Sequence, residues 1–189
     1  MSSSALVLGL DDPRAVDAAV VGGKATNLAV LRQAGFPVPE GLVLTTAASG
    51  GVGDDLSSDV QQALDLIEEW SDGRGVAVRS SGTAEDLPET SFAGQYETTL
   101  DVLRRDELES AVRASWASLH SSRVSSYRSV SGIEATSMAV LVQPMVEASC
   151  AGVVFSAHPV TGVRDQVVIN AAAGWVSSSC WERSHLSSG

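Results

Sequence analysis

Met138 to Val142, MAVLV, is a nearly continuous apolar run, too short for a helix and without the alternation of a half-exposed strand. It reads as a strand buried on both sides, and a chain that carries one must cover its sheet on both faces. The run ends at Gln143-Pro144-Met145. Other stretches supply neighbours. Residues 5–10 form a first strand ended by Asp11, Asp12 and Pro13, and Val38 to Thr46 a second that alternates loosely through Leu42 and Leu44. A strand of about five residues starts at Gly75, with Val76 and Val78 facing one way and Ala77 and Arg79 the other. Leu100 to Leu103 ends another, and Cys150–Phe155 and Gln166–Asn170 pair across a long turned connection.

Helical periodicity marks the covering elements. The first helix follows Gly22 and Gly23, carries Leu28 and Leu31, and stops at Gly35, a left-handed cap ahead of Pro37 and Pro39. Ser57 or Ser58 caps the second, whose apolar face is Val60, Leu64, Ile67 and Trp70. Asp106 starts the third, with Glu107 and Glu109 in its first turns and Leu108, Val112, Trp116 and Leu119 as a core stripe. This helix runs on or restarts through Arg123 to Arg128. The fold class is α/β, in the mixed α+β sense.

At 189 residues and 44% hydrophobic composition the chain holds one good domain, or a domain and part of another. Its formal net charge of −11 repels nucleic acid and anionic membrane, and neither is expected as a partner. A phosphate ligand remains compatible, because its site needs only local cations and amides. Cys150 and Cys180 are too few for a disulfide framework and lack metal-ligand spacing, so no metal site is expected. The N-terminal apolar run of about six residues is far below the roughly 18 that span a bilayer. A cytoplasmic protein is expected.

Two places invite an anion. Behind Arg79 stand Ser80, Ser81, Gly82 and Thr83, small residues whose amides and hydroxyls can approach a phosphate closely. The plainer reading is a surface loop with Arg79 in an ion pair to Glu85 or Asp86. A second small-residue turn follows at Ser91–Gln95. Lys24 falls in a helix's first turn, where the macrodipole opposes a cation by a few tenths to about 1 kcal/mol. Either a bound anion compensates or the side chain lies in solvent. The segment is not a P-loop, since Ala18 and Ala25 stand where that motif needs Gly and Ser or Thr. Gly51-Val52-Gly53 is turn composition only. His158, beside Pro159-Val160-Thr161-Gly162, reads as structural, and Arg113, Arg123 and Arg128 read as solvated.

The segment VRSSGTAEDLPETSFAGQYET resembles the signature of the ATP-binding domain shared by pyruvate phosphate dikinase, phosphoenolpyruvate synthase and rifamycin phosphotransferase. VGGKATNLAVLRQAGFPVPEGLVLTT at 21–46, MAVLVQPMVEASCAGVVFSAHPVTG at 138–162 and WASLHSSRVSSYR are similar to further family segments, in the family's order. The resemblance implies an ATP-grasp-like domain, with residues 1–145 as first lobe and 146–174 as the start of a second. It implies phosphate contacts at Lys24 and Arg79, the latter catalytic, and a covering loop that includes Gly82, Thr83, Gly94 and Gln95. Gln143 and Met145 match the hinge that reads the adenine edge, where Pro144 removes one backbone donor.

In complete relatives such a domain binds Mg-ATP and passes a phosphoryl group to a carrier histidine on a mobile domain. The resemblance therefore implies ATP and Mg2+, with metal ligands beyond this chain, and a histidine or substrate domain acting in trans. Relatives are longer over 47–74. The resemblance stops at Gly174, and 175–189 reads as a disordered tail from a frameshift or truncated frame; without the metal-binding half and histidine domain of complete relatives, the isolated chain is expected to be inactive. The alternative is a non-catalytic nucleotide-binding module or a non-functional truncated fragment.

Overall fold

The computed structural model describes residues 6–51, 56–83, 98–118 and 137–174. Contacts divide the chain into two compact units between Met145 and Val146. The first is built on a five-stranded sheet of β1 (Val7–Gly9), β2 (Leu42–Leu44), β3 (Val76–Gly82), β4 (Thr98–Val102) and β5 (Met138–Pro144). The spatial order is β1-β2-β5-β3-β4, and every neighbouring pair is antiparallel. The apolar run therefore lands in the centre. Met138 through Val142 are all at 0% exposure.

Alternation along β5 divides the core in two. Met138, Val140 and Val142 join Val76 and Val78 of β3 beneath α2 (Ser58–Ser71) and α3 (Arg105–Ser118), where Leu64, Ile67, Val112 and Trp116 meet them. Ala139 and Leu141 face the other way, with Leu8, Leu10 and Val43, onto Val21, Ala25 and Ala29 of α1 (Ala18–Gln33). Each large side chain sealed in this way contributes about 1.5–3 kcal/mol of hydrophobic stabilisation. Trp116 also satisfies its indole, as Nε1 donates to Met138 O over 3.2 Å.

The helix boundaries have local causes. Ser57 caps α2 by accepting from Val60 N, and Asp72 ends it in the left-handed region at φ 50°. Glu107 reaches back to accept from Arg104 N at 3.2 Å, a capping-box contact that starts α3 one residue earlier than the sequence predicts. Asp17 caps α1 through Ala19 N. Gly35, at φ +87°, closes α1 as expected: its N–H donates to Arg32 O and that of Phe36 to Leu31 O. This is the Schellman arrangement.

Several expectations change. α1 begins at Ala18, before the glycine pair, and passes through it with non-helical dihedrals at Gly22 (φ 75°, ψ 166°). The face it turns to the sheet is Val21-Ala25-Ala29, with Leu28 half-buried against the same cluster and Leu31 turned away. Leu31 is 42% exposed, because only small residues let the helix lie close to β3 and β5. The second strand shrinks to Leu42–Leu44, since Pro37 and Pro39 offer no N–H to a ladder. β3 runs seven residues rather than five and takes in Ser80, Ser81 and Gly82.

The second unit holds an antiparallel hairpin of β6 (Cys150–Phe155) and β7 (Val168–Ala173), registered from Cys150 opposite Ala173 to Phe155 opposite Val168. Gly152 is required here, as a β-carbon would stand 2.4 Å from Asn170 O. In the connection, His158 Nδ1 accepts from Val160 N and Thr161 N at 3.2 Å each, so this histidine is a turn-former as read from sequence.

Candidate functional site

β5 decides what the Ser80–Thr83 segment becomes. Its residues Val140, Ala139 and Met138 stand in register with Ser80, Ser81 and Gly82, so those small residues are strand, not an open turn. Ser80 and Ser81 are at 0% exposure. Thr83 continues the ladder: its N–H donates to Ser137 O at 3.2 Å, and its Oγ1 accepts from Ser137 N at 3.3 Å. The expected free cradle is thus replaced by a rigid strand end, because a full-length partner takes up the backbone groups.

Against that strand end packs the kink of α1. Gly22 occupies a region of dihedral space that is essentially reserved for glycine. Space demands glycine as well, since a β-carbon there would fall 2.1 Å from Ser81 O. Helical geometry resumes behind it, and the N–H of Ala25 donates to Ser81 Oγ at 3.1 Å. A serine from a distant strand thereby supplies an acceptor at the turn that resumes after the kink, beyond the reach of the Asp17 cap. One residue earlier, the Lys24 ammonium donates to Ser80 O at 2.7 Å. Lys24 is half-buried and held, not extended into solvent.

Among the described residues the Thr26 hydroxyl is buried without a hydrogen-bond partner. Gly22 through Thr26 therefore combine a kinked helix start, an ammonium and an unmatched hydroxyl against the end of β3, chemistry that suits an oxyanion such as a phosphate. Arg79 lies on β3 between Thr98 of β4 and Leu141 of β5 and is half-buried. By alternation it shares the α1-facing side with Ser81 and Leu141.

Gln143 and Met145 sit at the opposite end of β3. Gln143 is registered with Ala77, is 7% exposed, and donates through Nε2 to Pro39 O at 3.3 Å. The Met145 N–H donates to Gly75 O at 2.9 Å. Six residue intervals of β5 separate Ser137 from Gln143, about 20 Å of strand. The structure thus brings Lys24, Gly82 and Thr83 to one end, sets Arg79 between, and holds Gln143 and Met145 at the other. Gly94 and Gln95, with Glu85 and Asp86, lie outside the described residues, as do Arg123 and Arg128.

Sequence reasoning placed Ser81 in an anion cradle and missed its contact with the Ala25 amide, as it missed the reason for Gly22. One signal was in plain view: Lys24 is the only lysine in a chain that otherwise uses arginine for every side-chain cation apart from histidine. Elsewhere charge serves the surface. Arg113 pairs with Glu109 at 2.8 Å, and Arg105 with both Glu109 and Asp65, which holds the Glu109 carboxyl below its usual range, chiefly through Arg113. Arg14 beside Asp12 holds that carboxyl down to about 2 through side-chain and backbone hydrogen bonds.

The first unit is thus an α+β domain with an anion-suited helix start at the end of a buried strand, and sequence comparison gives its family. The family described as pyruvate phosphate dikinase, AMP/ATP-binding domain, matches residues 48–178, well over half of the chain, and this protein belongs to it. Phosphoenolpyruvate synthase of Aeropyrum pernix is 35% identical over 215 residues, covering 89% of this chain and 26% of the relative. Phosphoenolpyruvate synthase of Pyrococcus furiosus is 50% identical over 101 residues, 52% of this chain and 12% of the relative. The prodigiosin synthesizing transferase PigC of Serratia marcescens is 36% identical over 200 residues, 93% of this chain and 22% of the relative. The chain thus spans about a quarter or less of the length of these relatives. No helix among the described residues is long and apolar enough to cross a membrane.

Proposed function

We infer that this chain binds ATP as the nucleotide domain of a dikinase-type phosphotransferase, with residues 1–145 as the first lobe and 146–174 as the start of the second. The observation that carries the reading is the Lys24 ammonium, fixed 2.7 Å from Ser80 O at a kinked helix start. A cation set in place before the ligand arrives loses little side-chain freedom on binding, which removes one of the costs of holding a phosphate with lysine.

In this reading Lys24 and Arg79 contact the phosphates, and Arg79 faces the charge that develops when a phosphoryl group leaves. Gly82, Thr83, Gly94 and Gln95 belong to the segment that covers the nucleotide. Gln143 and Met145 border the base, with Gln143 acting through the Pro39 contact that locks the strand end. ATP supplies the phosphoryl group, and Mg2+ enters with the nucleotide's own phosphates. Phosphoryl transfer depends on positioning and charge neutralisation, so this chain's part is to bind and orient. The acceptor is a carrier histidine from outside residues 1–189, and the setting is cytoplasmic.

Calorimetric titration of Mg-ATP into the purified chain and into Arg79→Ala tests this. Loss of a charge-assisted contact costs about 1.5–3 kcal/mol, roughly ten- to more than hundredfold in affinity. A folded parent that binds nothing at millimolar ATP would sink the reading.

A further inference from the structure

We propose that Ser81 is a positioning residue for the phosphate-binding lysine, and that Gly22, Ser81 and the Ser80 carbonyl form a clamp that aims Lys24. The proposal rests on the nucleotide reading above for the lysine's target, but the clamp itself is a matter of geometry. Two consecutive strand residues grip two consecutive helix residues: Ser80 O accepts from Lys24 Nζ at 2.7 Å, and Ser81 Oγ accepts from Ala25 N at 3.1 Å. Successive strand residues point to opposite faces, so only Ser81 turns its hydroxyl towards α1, while Ser80 presents its carbonyl. The third grip is steric. Gly22 lies so close to Ser81 that the space for any β-carbon is taken by the Ser81 carbonyl and hydroxyl oxygens.

A lysine side chain has four rotatable bonds, and its charge roams when only its backbone root is fixed. Here the backbone at its root is tied by the Ala25 amide, and its tip by the Ser80 carbonyl. Both ties depend on the same strand segment, which is itself at 0% exposure. Removal of the Ser81 hydroxyl leaves the Ala25 amide buried without its acceptor, frees the helix start to move off the strand, and loosens the ammonium with it. Ser81 touches no nucleotide in this account. It acts through Lys24.

The decisive measurement is a double-mutant cycle in Mg-ATP affinity on the full chain, with Ser81→Ala, Lys24→Met and the double variant. Ser81→Ala is expected to weaken ATP about three- to tenfold in the Lys24 background and less than twofold in the Lys24→Met background. A hydroxyl that merely stabilises the fold lowers denaturation midpoints in both backgrounds without coupling to the lysine. Should Ser81→Ala fail to fold, Ser81→Cys keeps the size and removes the good acceptor.

A second readout needs no nucleotide. Lys24 is the sole lysine, so acetylation of the chain has only Lys24 and the N-terminal amine as amine targets, and the latter is an internal reference. Ser81→Ala should speed Lys24 acetylation several-fold relative to that reference. Equal rates in parent and folded variant, with equal losses of ATP affinity in both backgrounds, would overturn the clamp. Ser81-dependent acetylation in a parent that binds no ATP would uphold the clamp and overturn the nucleotide reading instead.

Discussion

The Cα of Gly22 lies so close to Ser81 that an added β-carbon would stand 2.1 Å from the Ser81 carbonyl oxygen and 2.6 Å from its hydroxyl oxygen. Backbone of one buried element meets backbone of another, so neither yields cheaply. Gly22→Ala is expected to destabilise the fold by about 3 kcal/mol or more, combining the cost of its dihedrals with the collision. Gly35→Ala is the control. It shares a positive φ but has nothing within 4 Å, so only the dihedral cost of roughly 1 kcal/mol applies. Urea midpoints measure both, and equal losses would contradict the close approach.

Trp116 is 1% exposed and spans from α3 to the start of β5. Trp116→Ala should cost about 3–5 kcal/mol through the cavity it leaves. Trp116→Phe keeps most of the volume but withdraws the donor from Met138 O, for a loss of about 1–3 kcal/mol. Chemical denaturation of both variants separates packing from hydrogen bonding.

Asp12 yields a prediction in pH. Arg14 lowers its carboxyl from an ordinary 3.8 to about 2 in the folded state. A depressed carboxylate stabilises the fold above its unfolded value, and that contribution is lost as pH falls from near 4 through 2. Asp12→Asn should therefore flatten the parent's acid-side loss of stability in that window and leave the slope above pH 5 unchanged. Thermal melts from pH 2 to pH 6 test it, and identical acid slopes would count against the Arg14 pairing.

Arg105 joins α3 to α2, with Nε 3.0 Å from Asp65 and a terminal nitrogen 2.5 Å from the Gln61 side-chain oxygen. Its side chain is 21% exposed, so it is also packing. Arg105→Met should cost no more than about 1 kcal/mol, and the difference from parent should narrow in 1 M salt. A difference that salt does not touch would assign the whole effect to packing.

What the sequence made legible follows from range. The central strand was readable because five apolar residues in a row admit few settings, and the caps at Ser57 and Gly35 were readable because capping is local. The length of β3 was not readable. Ser80-Ser81-Gly82 have loop composition, and only the register of β5, almost 60 residues away, turns them into strand. Lys24 and Arg79 were legible as cations near small residues and through the family's motifs. The role of Ser81 was hidden for the same reason as the strand: a cap supplied from 56 residues away leaves no mark in the sequence around the helix. The start of α1 was misplaced because a double glycine reads as a boundary, whereas here it is a kink within a longer element.

The strand order carries a consequence for synthesis. β5 sits between β2 and β3, yet it is the last of the five to leave the ribosome. Until residue 144 has emerged, β1 with β2 and β3 with β4 are two separate antiparallel ribbons, each with a bare edge that only β5 pairs. The Ser80–Gly82 segment has no β5 to pair with, and the Ser80 carbonyl and Ser81 hydroxyl that meet α1 have no fixed place. Sheet closure and assembly of the anion-binding end are therefore one late event, dominated by long-range pairing and slow for that reason. A nascent chain stalled before β5 exposes two sticky edges, and this is the stage at which the protein most needs shelter from its neighbours.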